Sequence, residues 1–152
     1  MHIVIPFEEF ALGQGVDPES LRKKLSEMRK LLWKVREGRP RPFKDDKILA
    51  GWNGLTIYAL VEAGCAFGQE RYLLAAERAA QFIRSEMRRE RRLFRRWRDG
   101  QALFHANLDD YAFLIRGLLS LFESGRGLEW LEWALELTQV LEEDFKAEDG
   151  AF

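Results

Sequence analysis

The chain has 152 residues, of which 47% are hydrophobic and 12% aromatic, and this is enough apolar material for one core of ordinary size. Its 24 basic and 25 acidic residues give a net charge of −1, which argues against a nucleic-acid partner or an acidic membrane surface. The single cysteine, Cys65, excludes an intrachain disulfide framework and a thiolate metal site, so we expect a cytoplasmic protein with no metal and no cofactor.

The N-terminal part of the chain precedes a clear helix start. Residues 1–16 are predicted to be an irregular leader, and their apolar run is too short for a signal peptide or a membrane span. Asp17-Pro18-Glu19 then combines a cap, a proline and an acid, which together favour a helix N-terminus. The helix that follows is amphipathic and is predicted to end at Gly38, with this apolar stripe: Leu21, Leu25, Met28, Leu32 and Val35.

A second helix is predicted over residues 46–67, behind two prolines and the paired acids Asp45 and Asp46. Acids suit a helix start, because the first-turn N–H groups are unpaired and the helix dipole favours negative charge there. The helix is apolar on nearly every side and is therefore predicted to be buried on every side. Gly51 and Gly54 each cost about 1 kcal/mol relative to alanine in a helix interior. They indicate close packing of another helix or close approach of a ligand.

A third helix, amphipathic again, is predicted over residues 69–89, and the periodicity then changes to that of strands. The segment RLFRRWRDGQALF alternates around Asp99-Gly100, a strong hairpin signal. We therefore predict a β-hairpin insertion over residues 92–104, with strands at 92–98 and 101–104. The arginine run from Arg84 to Arg98 could bind phosphate or nucleic acid, but the interleaved acids Glu86, Glu90 and Asp99 favour a solvated face.

Two more helices follow the hairpin. The first, over residues 107–124, is apolar on nearly every side and has Asp109 and Asp110 in its first turn. The second, over residues 127–144, is amphipathic. The final Asp149-Gly150 resembles a turn that leads into a strand.

The order of buried and amphipathic helices suggests a repeat. WNGLTIYALVEAG aligns with FLIRGLLSLFESG at a spacing of roughly sixty residues, which is typical of stacked helical hairpins. The sequence therefore predicts an all-α fold, a partial α/α toroid of about five helices with one short β-hairpin, as a single domain over residues 1–152. The buried helices of such a ring point the same way, so their acidic N-termini are expected to share one end.

Three segments resemble a known family: RPRPFKDDKILAGWNGL, LDDYAFLIRGLLSLFE and LEWLEWALELTQVLEEDFKAEDGAF. They are similar to the C-terminal part of the spermatogenesis-associated, thioredoxin-domain-containing proteins. The resemblance implies an (α/α)6-type toroid similar to N-acylglucosamine 2-epimerases and to glycosidases of that shape. Family members are several times longer and begin with a thioredoxin-like domain, whose cysteine motif this sequence lacks. The second motif usually has Glu where this chain has Asp109, and the chain resembles a fragment of such a protein.

The acids at the two apolar helix starts are candidate catalytic residues. Asp46, Asp109 and Asp110 could act as general acid and base on a sugar, since glycoside chemistry uses paired carboxyl groups across a cleft. His105 lies before the second apolar helix and could transfer a proton near neutral pH. The alternative is that the acids cap helices or form ion pairs, and that His105 is a surface loop residue.

Candidate substrate-binding residues lie beside these acids. Trp52, Trp97 and Tyr111 could stack on a sugar ring, although aromatic residues at helical spacing also pack in cores. Asn53 is a polar amide in an apolar helix and needs a hydrogen-bond partner, which is either protein backbone or a ligand. Asp45 is next to Asp46 and is likewise either a residue of the sugar site or a helix cap or ion-pair partner.

Two functions follow from these residues. The first is a carbohydrate-related protein with an epimerase- or glycosidase-like pocket for a sugar-like small molecule, which as a fragment could be inactive. The alternative is a non-catalytic helical binding or structural module. An incomplete ring leaves apolar flanks open to water, so we expect a homo-oligomer that covers them.

Overall fold

The computed structural model describes residues 5–148 and 150, and the chain divides into two compact units, Met1–Lys44 and Asp45–Phe152. The single domain expected over residues 1–152 stays a prediction. The final turn and strand predicted around Asp149 lie outside the described residues.

The first unit holds helices α1 (Phe7–Gly13) and α2 (Pro18–Glu37). The prediction of an irregular leader is wrong for α1, which follows Pro6 and carries Glu8 and Glu9 in its first turn, a favourable charge for a helix start. The start of α2 is confirmed, because Asp17 Oδ2 accepts a hydrogen bond from the Ser20 amide at 2.8 Å. No residue of α2 is buried within the chain.

The second unit combines four helices with a small antiparallel sheet. Strand β3 is central: β4 pairs along it, β2 pairs with its N-terminal end, and β1 pairs near its C-terminal end. The elements in chain order are β1 (Ile48–Leu49), α3 (Ala50–Phe67), α4 (Glu70–Glu86), β2 (Arg88–Arg89), β3 (Arg92–Arg98), β4 (Gln101–His105), α5 (Leu108–Glu123) and α6 (Leu128–Phe145).

The structure confirms the all-α class with a short β-hairpin, with six helices among the described residues where about five are predicted. Asp99 and Gly100 both have positive φ (51° and 77°), as a two-residue hairpin turn requires. The described helices are too short or too polar to cross a membrane.

The start of α3 differs from the prediction. Ile48 and Leu49 pair with Trp97 and Arg96 of β3, so the helix begins at Ala50 rather than at Asp46. Asp45 and Asp46 therefore lie ahead of β1 and do not occupy the first turn of a helix. Two-residue strands such as β1 and β2 are too short to show an alternating pattern.

Helices α3 and α5 cross at glycines. A Cβ atom at Gly54 would lie 2.5 Å from the Leu114 amide nitrogen, and one at Gly117 would lie 2.7 Å from the Gly54 carbonyl oxygen. The close helix packing predicted at Gly51 and Gly54 is thus confirmed. Helices α4 and α6 pack on the outside of this pair, and the core includes Ile57, Ile83, Leu118 and Trp133.

Candidate functional site

The N-termini of α3 and α5 meet at Asp110, a carboxylate of which only 4% is exposed. Its Oδ1 accepts a hydrogen bond from the Gly51 amide at 3.1 Å, and its Oδ2 accepts one from the Asn107 amide at 3.0 Å. The second bond belongs to a capping box at the start of α5. The shared end expected for the two apolar helices is therefore present, and Asp110 holds it together.

Strand β3 places an arginine beside this carboxylate. Arg95 Nη1 lies 3.5 Å from Asp110 Oδ2, which balances the buried negative charge. The sequence predicts a solvated face for Arg95, because no pattern in the arginine run distinguishes it from its neighbours. Asp109, next to Asp110, is exposed in the first turn of α5.

Asp45 and Asp46 lie beside β1, and basic residues pair with both. The Nε atom of Arg98 is 2.9 Å from Asp46 Oδ1, and Lys47 Nζ donates to Asp45 Oδ2 at 2.9 Å. The hydrogen bond from Lys47 lowers the pKa of Asp45 below its ordinary value of 3.8. Both carboxylates thus have protein partners near the start of α3.

Asn53 and Trp52 are neighbours on α3 but lie in different surroundings, one bonded to protein backbone and the other on the surface. The Asn53 amide donates to the Leu49 carbonyl oxygen at 2.9 Å, so protein backbone satisfies one of its donors. Trp52 is 71% exposed, and its indole lies on the surface rather than in the core. The prediction that α3 is buried on every side is therefore wrong.

His105 and Tyr111 line the same cavity of about 420 Å³, together with Asn107 and with Arg92 and Asp144. His105 is exposed and stacks on Phe94 of the neighbouring strand, with ring centroids 5.4 Å apart. The structure brings these two predicted residues together at the N-terminal end of α5.

Tyr111 is 2% exposed, and its hydroxyl accepts a hydrogen bond from the Leu93 amide at 2.9 Å. Burial raises the pKa of Tyr111 above 10, and the Leu93 hydrogen bond opposes part of that rise. The side chain is therefore a neutral phenol at physiological pH and joins α5 to β3.

Trp97 lies apart from this cavity. It is half-buried in β3, packs edge-on against Phe82 of α4 at 5.3 Å, and stands opposite Ile48 and Ala102 in the sheet. These contacts are those of a core residue. The predicted site residues therefore form two groups, one around Asp110, Tyr111 and His105 and the other along β1 and β3.

Three arginines in and between β2 and β3 form ion pairs that no local sequence pattern predicts. Arg88, Arg91 and Arg92 pair with acids of α6 rather than with the interleaved acids of their own segment. The distances are 2.5 Å for Arg88–Glu136, 3.1 Å for Arg91–Glu143 and 3.0 Å for Arg92–Asp144. The acid spacing in LEWLEWALELTQVLEED is a signal that could have suggested partners in α6.

Within the described part of the chain, no three His, Cys, Asp or Glu side chains are grouped to hold a metal ion.

No protein-family profile matches the chain, but individual relatives do. It is 36% identical to human spermatogenesis-associated protein 20, over 90% of this chain and 19% of the relative. The rat protein of the same name is 33% identical over 86% of the chain and 18% of the relative. An uncharacterised protein of Caenorhabditis elegans is 35% identical over 95% of the chain. The chain spans about a fifth of the length of these relatives.

Proposed function

We propose that this chain, which belongs to the family of spermatogenesis-associated protein 20, is a non-catalytic helical module that binds a second copy of itself. The observation that carries the proposal is an apolar stripe on α3 that no described part of the chain covers. We call this stripe the α3 open face, and it consists of Trp52, Leu55, Ala59 and Ala66.

The α3 open face lies on one side of the helix, because its residues are spaced by three, four and seven positions. Trp52 is 71% exposed and Leu55 is 43% exposed, while the opposite side of α3 buries Ile57 and Val61 in the core. Each Å² of apolar surface removed from water contributes roughly 25 cal/mol. A partner helix on this face would therefore stabilise an assembly.

The order of large and small residues along the face suits two antiparallel copies of α3. Ala59 lies close to the middle of Ala50–Phe67, so a two-fold axis there sets Ala59 against its counterpart. Trp52 of one copy then lies opposite Ala66 of the other. A small residue at the crossing allows close approach, and large-to-small pairing fills the space on either side.

The polar groups of the predicted site support a structural role. Asp110 accepts hydrogen bonds from two backbone N–H groups, Asp46 pairs with Arg98, and Asn53 donates to the carbonyl oxygen of Leu49, just ahead of its helix. Asp110 therefore caps a helix, Asp46 forms an ion pair, and Asn53 forms a backbone hydrogen bond, as the structural interpretation of each residue expects.

Substitution of Ala59 tests the module proposal. We expect the unaltered chain to self-associate in size-exclusion chromatography with light scattering, and Ala59→Arg to self-associate at least about tenfold more weakly, because the arginine blocks the crossing. Leu74→Arg, at a 42% exposed leucine of α4, is the matched control and should self-associate as the unaltered chain does. A monomeric unaltered chain at high concentration would contradict the proposal.

A second candidate function rests on the cavity of about 420 Å³ that His105, Asn107 and Tyr111 line. Its volume falls in the usual range for small-molecule sites. In this proposal a sugar-like molecule binds there and His105 moves a proton, with Asp109 and Asp110 as the nearest acids of those predicted.

A panel of sugars in a thermal-shift assay tests this second candidate. We expect one sugar to raise the melting temperature of the unaltered chain, and His105→Ala to remove that shift while the unliganded protein keeps its stability. Trp97→Phe, which changes a predicted residue outside the cavity, is the control and should keep the shift. If no sugar changes the melting temperature, the cavity is not a carbohydrate site.

A further inference from the structure

Helix α2 carries a second apolar stripe, separate from the α3 open face. Leu25, Met28, Leu32 and Val35 follow the alternating three- and four-residue spacing of a coiled-coil seam. All four are exposed, from 36% for Leu25 to 70% for Leu32. We call these four residues the α2 seam. An exposed seam of this length is typical of a helix that packs on another helix.

The charges of α2 indicate what kind of helix fits the seam. Its 20 residues include seven basic and three acidic side chains, a net charge of +4. Arg29 and Arg36 flank one edge of the seam and Lys24 flanks the other, so two copies of α2 would place like charges together. The favoured partner is an amphipathic helix with acidic edges.

Helix α6 has this character. Its 18 residues include six acidic side chains and no basic one. Glu136, Glu143 and Asp144 are engaged by the hairpin, whereas Glu129, Glu132 and Glu142 form no ion pair among the described residues.

The outward side of α6 is a defined surface, which we call the α6 outer face: Leu128, Glu132, Leu135, Gln139 and Glu142. Leu128 is 59% exposed and Leu135 is 56% exposed, while Gln139 accepts a hydrogen bond from Arg91 at 3.5 Å. The face is therefore apolar along its N-terminal half and has acids at its edges. At about 1.5 Å per residue, α2 and α6 span about 30 and 27 Å, and each can cover the other along its length.

We infer that the α2 seam of one copy docks on the α6 outer face of a second copy, with Arg29 and Arg36 along one acidic edge of that face and Lys24 along the other. Two copies can exchange their α2 helices reciprocally, which closes the assembly as a dimer. The apolar side chains along the seam supply the burial, and the flanking charges select the partner and favour α6 over another α2. This surface is independent of the α3 open face.

A reciprocal charge exchange tests the inference. Both variants are made in the Ala59→Arg chain, so that pairing through the α3 open face does not contribute. The first adds Lys24→Glu, Arg29→Glu and Arg36→Glu, and the second adds Glu132→Lys and Glu142→Lys. We expect each variant alone to dimerise at least about tenfold more weakly than the Ala59→Arg parent in sedimentation velocity, because like charges then face each other. A mixture of the two should regain the association, because opposite charges face each other in both contacts of the mixed dimer.

Two results would overturn the inference: a parent that is monomeric at every concentration, and a mixture that associates no better than its components. A monomeric parent that also binds vesicles of phosphatidylcholine and phosphatidylserine would assign the basic helix to a lipid surface. Failure here leaves the comparison of Ala59→Arg with Leu74→Arg intact, so this surface and the α3 open face are judged separately.

Discussion

Gly54→Ala is expected to lower the free energy of unfolding by about 2 kcal/mol. The added methyl would lie 2.5 Å from the Leu114 amide nitrogen and 2.6 Å from the Phe113 carbonyl group, and these are backbone atoms that cannot rotate away. Overpacking of this kind costs up to about 3 kcal/mol, and alanine returns about 1 kcal/mol through its higher helix propensity. Urea denaturation followed by circular dichroism measures the difference.

Gly13→Ala is the control for this effect. It makes the same chemical change in a helix, at a position where nothing lies within 4 Å of the new atom. The free energy of unfolding should then stay within about 0.5 kcal/mol of the original. A Gly54→Ala protein as stable as the original would mean that α3 and α5 do not cross at Gly54.

Asp110→Ala is expected to cost about 3 kcal/mol, the largest loss that we predict. The change removes the acceptor of two backbone N–H groups, those of Gly51 and Asn107, and leaves Arg95 without its carboxylate. Each buried N–H group that loses its partner costs about 1–3 kcal/mol. Asp110→Asn should cost roughly half as much, because the amide oxygen can still accept one of the two hydrogen bonds. The same denaturation experiment reports both values.

Asp109→Ala provides the matched comparison at the next residue. Asp109 is exposed and contributes mainly through the helix dipole, which is worth about 0.3–1 kcal/mol. If Asp109→Ala and Asp110→Ala cost the same, Asp110 would not be the residue that joins the two helix starts.

Much of the second unit could be predicted from periodicity. The apolar helices, the hairpin at Asp99-Gly100 and the close packing at Gly54 are all visible locally, because each depends on residue spacing or on a residue with special backbone freedom. The family resemblance is likewise confirmed by relatives 33–36% identical to the chain.

Contacts between distant segments could not be predicted in the same way. Arg95 and Arg98 both belong to β3, which pairs with β1 beside Asp46 and brings Arg95 within 3.5 Å of Asp110. Hydropathy also cannot distinguish a helix buried by its own chain from one that leaves Trp52 exposed, since both are equally apolar in sequence. The predictions for α3 failed where tertiary packing, rather than composition, decides exposure.

The three ion pairs that join Arg88, Arg91 and Arg92 to α6 have a consequence for the folding order. They join residues 48 to 52 positions apart, along the last half of α6. Closing loops of this length is entropically costly, so we expect these pairs to form after β2 and β3 are in place. We therefore expect the final turns of α6 to be among the last parts of the chain to order, and to do so by packing against β2 and β3 once these strands have formed.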